Sequence, residues 1–262
     1  MITERSGHRV RTLRPGMSGT DVMKIQAMLK KLGYYNGAPD GIFGPNTQQA
    51  VIAFQRNYGL TPDGIIGPNT YNAMQRYLLG YDTYTIKKGD TLYMIAGRYG
   101  TTPALILAAN PGVMANSLRV AQRIVVPYGF NVVDTNIDYT YDIMERDIEG
   151  LKARYPFLEV GVAGHSSLGR NLYYIRLGAG PNQVFYNGAH HSLEWITSPV
   201  LMKFIEDFAE AYARKESLDG YDTAGIWNSS SIYIVPMVNP DGIDLVLNGL
   251  KPDNPNYEEL IR

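Results

Sequence analysis

His191 and Glu194, a histidine and a glutamate three residues apart, are the side chains of this 262-residue sequence best placed to do chemistry together. They follow a short apolar run, Val184-Phe185-Tyr186, which predicts a buried strand. If the chain turns helical after that strand, the two side chains share one face. An imidazole nitrogen and a carboxylate are ligands expected of a catalytic zinc site that keeps one position open for water. A third ligand must come from elsewhere, and no histidine follows Glu194.

The other three histidines have weaker claims to a metal. His190 adjoins His191 and is the alternative ligand, but the i to i+3 spacing to Glu194 favours His191. His165 is expected in a polar turn between strands, and His8 in an N-terminal tail. The predicted zinc ligands are therefore His191 and Glu194, and no general base is identified.

Composition bounds the class of protein. Hydrophobic residues make up 45% of the chain and charged residues 19%, which is typical of soluble globular proteins. No apolar run reaches the ~20 residues needed to cross a bilayer. Residues 1–8 lack the apolar segment of a signal peptide, so we expect a chain made without one or one from which it has been removed. The absence of cysteine excludes disulfides and thiolate metal sites.

Charge is unevenly distributed along the chain, although the net charge is only −1. Residues 1–80 carry nine basic and four acidic side chains, residues 81–130 five and two, and residues 131–262 ten and nineteen. Either separate domains simply differ in charge, or the first half favours a polyanionic surface such as a bacterial wall. Nucleic acid is not expected as a partner, because no cluster of Lys and Arg is interleaved with aromatic residues on one element.

The elements before residue 80 contain an internal repeat. Residues 39–47, PDGIFGPNT, return as residues 62–70, PDGIIGPNT. In each copy Asp-Gly predicts a tight turn and Asn-Thr a helix cap. An earlier helix is expected to start at the cap Thr20-Asp21 and to end at Gly33. These patterns predict a compact bundle of three short helices over residues 13–78.

A second small unit is expected over residues 83–128. Tyr84-Thr85-Ile86 and residues 123–127 predict its two outer strands. Between them Thr91 and Thr102 are expected to cap two short helices, the second of which begins with proline. The pattern predicts a βααβ domain.

From residue 131 onward strands alternate with helices, which predicts an α/β domain. The expected elements are a helix over 139–155, strands over 159–163, 172–177 and 184–186, a helix over 198–213 and a strand over 231–238. Ligands of such sheets gather beyond the carboxyl ends of the strands. His191 and the Asn-Pro-Asp-Gly motif of residues 239–242 both follow such ends.

Motifs in the first two units resemble those of bacterial wall-binding modules. The sequences LRPG at 13–16, LGYY at 32–35 and DGIFG at 40–44 resemble the peptidoglycan-binding three-helix domain of wall hydrolases. The sequence KGDTL at 88–92, followed by Asn110-Pro111, resembles a LysM module, which binds glycans containing N-acetylglucosamine. The resemblance implies two glycan-binding loops, formed by Gly89, Asp90, Thr91 and Leu92 and by Asn110, Pro111, Gly112 and Val113.

Three motifs of the last unit, in order, resemble the zinc carboxypeptidase family: residues 164–175, His191 to Glu194, and Asn239 to Gly242. Together with the two modules they are most similar to bacterial γ-D-glutamyl–L-diamino acid endopeptidases, which cut peptidoglycan stem peptides. The resemblance implies that His191 and Glu194 are two of three zinc ligands. It also implies that Asn239, Asp241 and Gly242 lie beside the substrate cleft. Leu193 stands where many digestive-type members have arginine, which puts their extended-substrate subsite in doubt here.

In that family the third ligand and the catalytic Glu, which is the general base, follow the Asn-Pro-Asp-Gly motif. Both are therefore expected beyond Arg262, the last residue of this sequence. Residues 131–262 are expected to form the N-terminal part of an α/β zinc-carboxypeptidase-like mixed sheet. Such a partial sheet is expected to leave an exposed edge beside Ile232, Ile234 and Val238.

Three functions stay open. The first is a zinc peptidase that binds the glycan strands of the bacterial wall or spore envelope and cuts the γ-D-glutamyl–diamino acid bond of their stem peptides. The second is a wall-binding protein with an inert, incomplete peptidase domain. The third is a zinc carboxypeptidase that trims stem-peptide ends.

Overall fold

The computed structural model describes residues 2–3, 9–250, 252 and 257–260. The expected multidomain fold is confirmed, with a helical bundle, a small βααβ unit and a mixed-sheet domain in succession. His8 and Arg262, on which two expectations depend, lie outside the described residues. Two short strands, β1 (Ile2–Thr3) and β2 (Arg9–Val10), pair ahead of the bundle. Within the described ranges, no helix combines the length and apolarity needed to cross a membrane.

Three helices form the first unit: α1 (Thr20–Lys31), α2 (Pro45–Asn57) and α3 (Pro68–Leu78). Their apolar faces pack around Phe54, which is fully buried. The expected Asn-Thr caps are wrong, because Gly44 and Gly67 occupy the N-cap positions and no side chain caps either helix. Helix α1 likewise has Gly19 at its N-cap, not Thr20-Asp21.

Two buried glutamines explain the internal repeat. Gln26 donates a hydrogen bond to the Thr47 hydroxyl at 2.9 Å, and Gln55 donates the equivalent bond to Thr70 at 3.0 Å. The Gln26 amide also donates to Asp40 at 2.7 Å, and the Gln55 amide donates to Asp63 at 2.8 Å. These two aspartates are those of the Asp-Gly turns. A buried amide is costly unless its N–H groups find acceptors. The threonine hydroxyls therefore accept hydrogen bonds from the glutamine amides and do not cap the helix ends.

The second unit consists of β3 (Tyr81–Thr85), α4 (Leu92–Tyr99), α5 (Pro103–Ala108) and β4 (Arg123–Pro127). The two strands pair antiparallel. Thr91 and Thr102 cap the two helices through their side chains, as the sequence predicts. Strand β3 begins earlier than expected, and Ile86 follows it as a buried core residue.

The last unit comprises α6 (Tyr141–Arg154), β5 (Glu159–His165), β6 (Asn171–Leu177), β7 (Asn182–Asn187), α7 (Thr197–Arg214), β8 (Ser217–Leu218), β9 (Tyr221–Asp222), α8 (Thr223–Ser229), β10 (Ser230–Val235), α9 (Pro240–Asn248) and α10 (Tyr257–Leu260). Four of these strands form a mixed sheet in the order β5-β6-β10-β7. Strand β10 is antiparallel to β6 and parallel to β7. Helix α7, which follows β7, packs on this sheet and contributes Met202 and Phe208 to the core.

The sheet corrects two expectations about its strands. Strand β7 is not buried, because it lies at the edge of the sheet and leaves Phe185 and Tyr186 61% and 50% exposed. The predicted edge beside Ile232 and Ile234 is wrong, because β10 lies between two strands and both side chains are buried. Val238 follows this strand and is half-buried.

His165 is also placed differently from the expectation. It is the last residue of β5 and pairs with Asn171 of β6, so it does not lie in the turn between the two strands.

Candidate functional site

The candidate site is the loop that joins β7 to α7. A single 3-10 turn, Ser192–Glu194, follows His191 and returns the chain towards α7. The Nδ1 atom of His191 and the Oε1 atom of Glu194 are 3.0 Å apart, and their side chains are 81% and 54% exposed. The tight turn brings the pair together as the i to i+3 spacing predicts, although the turn is 3-10 and not α-helical.

The geometry of this pair suits a shared metal ion. Zinc binds imidazole and carboxylate atoms at ~2.1 Å, so two ligands of one tetrahedral ion lie about 3.4 Å apart. The observed 3.0 Å requires only a small side-chain movement. Across the residues that the structure describes, no group of three His, Asp or Glu side chains could hold a metal. The donor chemistry thus fits zinc at two positions, and a third ligand and general base beyond Arg262 stay predictions.

His190 faces a different partner. Its Nε2 atom lies 2.5 Å from the Asn187 side-chain oxygen at the end of β7. His191, in contrast, points its ring nitrogen at Glu194. This arrangement supports His191 as the ligand and leaves His190 as a residue that fastens the loop to the strand.

The backbone of the loop is held in an unusual conformation. Ala189 is buried and has a φ of 57°, in the left-handed region that residues with a side chain seldom adopt. The Thr197 hydroxyl fixes it, because it accepts a hydrogen bond from the Ala189 N–H at 2.7 Å and donates one to the Glu194 carbonyl at 2.8 Å. Thr197 is the first residue of α7, so this helix positions the loop. Sequence reasoning missed Thr197, since only the folded loop shows its two bonds.

Asn239 fastens the other side of the loop. Its side-chain oxygen accepts the Gly242 N–H at 3.0 Å and so caps α9, and its amide donates to the His190 carbonyl at 3.1 Å. The Asn-Pro-Asp-Gly motif is therefore the cap and first turn of a helix and not a free turn. The sequence carried this signal, because an N-cap asparagine followed by proline is a typical helix start. A Cβ at Gly242 would lie 2.2 Å from Ser192 Oγ, so a larger residue there would displace the Ser192 side chain.

Asp241 is occupied within the protein. Its carboxylate accepts hydrogen bonds from the Ser166 hydroxyl at 3.0 Å and the Leu168 N–H at 2.9 Å, and it pairs with Arg170 at 3.2 Å. A second ion pair joins Arg170 to Asp244 at 2.9 Å. These contacts explain the motif at residues 164–175, which anchors the start of α9. Asp241 therefore helps to position α9, and it contributes to the position of the loop only through that helix.

We expect Asn239→Ala to lower the free energy of unfolding by about 1 kcal/mol, because it removes a helix cap. It should also speed hydrogen exchange of the loop amides of residues 189–191. Asp222→Ala is the matched control, because Asp222 caps α8 by accepting the Ala224 N–H at 3.0 Å. The control should cost a similar free energy in urea unfolding and leave the loop amides unchanged. Equal exchange in both variants would contradict a role for Asn239 in positioning the loop.

The two loops expected to bind glycan use their polar side chains internally. Asp90 accepts hydrogen bonds from the Lys87 N–H and the Tyr84 hydroxyl, both at 2.8 Å. Asn110 donates to the carbonyls of Ile106 and Val125, each at 2.6 Å. These side chains shape the loops, so ligand contacts would come from the loop backbone and from exposed neighbours.

An exposed tyrosine that the sequence analysis passed over stands beside the first loop. Tyr93 directly follows Leu92 and is 81% exposed. Met94 and Met114 are 51% and 62% exposed. An exposed aromatic ring is an apolar face on which a sugar ring could stack. Sequence spacing did not single it out, because Tyr93 lies within a helix whose apolar residues mostly face the core.

Comparison with known families divides the chain as its fold does. Residues 18–74 match a family described as a putative peptidoglycan binding domain, and residues 84–127 match the LysM domain. Residues 144–258 match the zinc carboxypeptidase family. The boundaries 13–78, 83–128 and 131–262 enclose these matches and stay predictions.

Similar proteins have been named in bacteria. The chain is 35% identical over 120 residues to the gamma-D-glutamyl-L-diamino acid endopeptidase 1 of Lysinibacillus sphaericus, a match that covers 46% of this chain and 30% of that protein. It is 38% identical over 79 residues to a spore cortex-lytic enzyme of Bacillus cereus, covering 30% of each. A crystal structure of the SleB N-terminal domain matches with 39% identity and a TM-score of 0.24, over 24% of this chain and 88% of that one. The chain thus spans less than a third of the length of either curated relative named here.

Proposed function

We propose that this chain, which carries a peptidoglycan-binding domain, a LysM domain and a zinc carboxypeptidase segment, belongs to a zinc-dependent peptidoglycan hydrolase. One observation carries the proposal: His191 and Glu194 are held 3.0 Å apart in a domain preceded by two wall-binding domains. The proposed substrate bond is the γ-D-glutamyl–diamino acid bond of wall stem peptides, as the name of the Lysinibacillus relative suggests. The proposed location is the bacterial wall or spore envelope.

His191 and Glu194 would hold the zinc ion. Zinc bound there would act as a Lewis acid towards the scissile carbonyl and towards a water molecule. The rest of the loop prepares the pair for this role. Thr197 and Asn239 hold the backbone on either side of the two ligands, so that little ordering is needed when the metal binds. The substrate would approach from solvent, to which both ligand side chains are open.

The two N-terminal domains would keep the enzyme on its polymer. Binding to an insoluble glycan raises the effective concentration of neighbouring stem peptides without any new contact at the reacting bond. The loops at residues 89–92 and 110–113 are the proposed glycan contacts. Their internal hydrogen bonds make them rigid, which lowers the entropy cost of binding.

We expect Tyr93→Ala to weaken binding of N-acetylglucosamine oligomers by roughly 0.5–1.5 kcal/mol, because the variant removes an aromatic stacking surface. Its thermal unfolding should stay unchanged, since the ring is 81% exposed. Tyr221→Ala is the control, because Tyr221 is 70% exposed in a different domain. Isothermal titration would show lost affinity for Tyr93→Ala only. Unchanged affinity would remove Tyr93 from the glycan site.

The bond that is cut can be identified directly. The whole gene product, with zinc, should be incubated with defined muropeptides and the fragments weighed by mass spectrometry. Cleavage between D-glutamate and the diamino acid supports the endopeptidase, whereas loss of a terminal residue alone would indicate the carboxypeptidase alternative. Binding to peptidoglycan without any cleavage would indicate the wall-binding alternative. The described residues favour that third outcome for these 262 residues alone, because they bring only two ligands together.

A further inference from the structure

A buried lysine on α1 faces away from its own bundle. Lys24 is 2% exposed, and its Nζ atom lies 3.0 Å from Asp147 Oδ1 and 3.1 Å from Asp134 Oδ2. The ammonium group also donates a hydrogen bond to the Val132 carbonyl at 3.0 Å. All three partners belong to the chain beyond residue 130. A charged side chain of the peptidoglycan-binding domain is thus buried against the peptidase segment.

The buried charges at this contact are fully paired. The ammonium of Lys24 has three donors and three acceptors, and Asp147 accepts a further bond from the Tyr139 hydroxyl at 2.9 Å. Burial opposes the charge on Lys24, but Asp147 and Asp134 outweigh it and raise the pKa of the lysine. Burial likewise opposes ionisation of Asp134, but Lys24 and Lys31 together lower its pKa. A buried ion tolerates its loss of water only when paired in this way.

The segment that joins the LysM domain to α6, which includes residues 130–133, is also held by buried side chains. Glu206, in the middle of α7, is buried and accepts hydrogen bonds from the N–H groups of Val132 and Val133 at 2.6 and 3.1 Å. Arg154 is also buried and donates to the Phe130 carbonyl at 2.8 Å. Backbone donors that a mobile linker would offer to water are thus taken up by the peptidase segment.

The units are closely packed where they meet. A Cβ at Gly150 of α6 would lie 2.4 Å from the Leu79 carbonyl oxygen, just after α3. Leu105 of the LysM domain belongs to the same apolar core as the peptidase segment. The ring of Tyr128 is tilted against two others, with centroid distances of 4.8 Å to Tyr77 of the bundle and 5.3 Å to Tyr99 of the LysM domain. Each unit therefore contacts the other two.

We infer that the peptidoglycan-binding domain is docked on the peptidase segment as one rigid body, through the Lys24–Asp134–Asp147 cluster, and is not a freely moving tether. Helix α7 links this docking to the candidate site, because it holds the inter-domain segment through Glu206 and the metal loop through Thr197. A bound glycan strand would then meet the loop in one fixed orientation. That consequence rests on the proposed function, whereas the docking itself rests on the contacts alone.

The docking also accounts for part of the uneven charge. The first half of the chain is basic and the last half acidic. Lys24 pairs with Asp134 and Asp147, and Lys31 pairs with Asp134 at 2.5 Å. With Lys31 added, the Lys24–Asp134–Asp147 cluster holds two positive and two negative charges and is balanced as a whole. Attraction between the halves thus adds a third explanation to the two that the sequence offers.

Pulsed electron paramagnetic resonance can test this rigidity in the whole 262-residue chain. The chain contains no cysteine, so two introduced cysteines take spin labels without competition. Gln49→Cys places a label on α2 and Lys152→Cys places one on α6, and both positions are exposed. We expect one narrow distance peak, unchanged when insoluble peptidoglycan fragments are added. A broad or multiple distribution in this otherwise unaltered chain would overturn the inference.

Variants on α1 then identify the source of the rigidity. Lys24→Met in the labelled chain should broaden the distance peak, because it leaves Asp147 without its cation and Asp134 with Lys31 alone. Lys30→Met is the control, since Lys30 is exposed on the same helix, and should leave the peak narrow. A narrow peak in Lys24→Met would overturn the role of the cluster. If that variant does not fold, the distribution of the unaltered chain still decides. Peptidoglycan pull-down is measured separately, so failed binding with a narrow peak would count against the proposed function and not against the docking.

Discussion

Replacing Lys24 with alanine is expected to lower the free energy of unfolding of the chain by about 3–5 kcal/mol, the usual effect of removing one partner of a buried ion pair. The loss arises because Asp147 is fully buried and would lose the cation 3.0 Å away, so it must either keep an uncompensated charge or take up a proton. Urea unfolding followed by circular dichroism measures it. Lys30→Ala should change the same quantity by less than ~0.5 kcal/mol, because that lysine is exposed.

A double variant separates the charge from the packing. Lys24→Met with Asp147→Asn removes both the cation and the charge that it neutralises. We expect this variant to recover part of the stability that Lys24→Met alone loses, since a neutral pair avoids the uncompensated buried carboxylate. Equal losses in the single and double variants would mean that side-chain packing and not charge pairing stabilises the contact.

Zinc should bind the 262-residue polypeptide only weakly, with a dissociation constant above ~1 µM, equivalent to less than about 8 kcal/mol. A catalytic zinc requires three protein ligands, and the described residues bring only His191 and Glu194 together. Hydrolysis of muropeptides by this polypeptide alone should be undetectable. Competition with a zinc-binding dye and mass spectrometry of the products measure the two quantities.

Matched histidine variants show which side chain holds the metal. His191→Ala should abolish the residual zinc binding, whereas His190→Ala should change it little, because His190 faces Asn187. The reverse result would restore the alternative that the sequence left open. Tight stoichiometric zinc in the unaltered polypeptide would mean that another of its residues completes the site, and the expectation of a third ligand beyond Arg262 would then be wrong.

Much of the fold follows from local signals. Thr91 and Thr102 were predicted as helix caps and both form the expected hydrogen bonds, because a cap depends on residues only three positions apart. The Asn-Thr caps of the repeat failed for a complementary reason. Thr47 and Thr70 fit the local pattern, but buried glutamines from other helices compete for their hydroxyls. Contacts between helices of this kind cannot be predicted from residues that are neighbours in the sequence.

The order of strands in the sheet was also beyond local reasoning. Val184-Phe185-Tyr186 is apolar enough to be central, yet β7 lies at the edge while β10 takes the inner position. A short apolar run predicts a strand but does not specify which strands lie on either side of it. At the site, spacing alone identified His191 and Glu194. Thr197 could not be found, since its role depends on the left-handed turn at Ala189.

The lysine that locks the domains together also matters during synthesis on the ribosome. Helix α1 emerges from the ribosome more than a hundred residues before Asp134 and Asp147. Until they are made, the face of α1 that carries Lys24 is exposed to water. A wholly apolar face in that position would invite aggregation of the nascent chain. During this time Lys24 is hydrated, and its charge repels the same helix face on other nascent chains. Lys24, which is buried and paired with Asp134 and Asp147 in the finished protein, therefore protects the unfinished one.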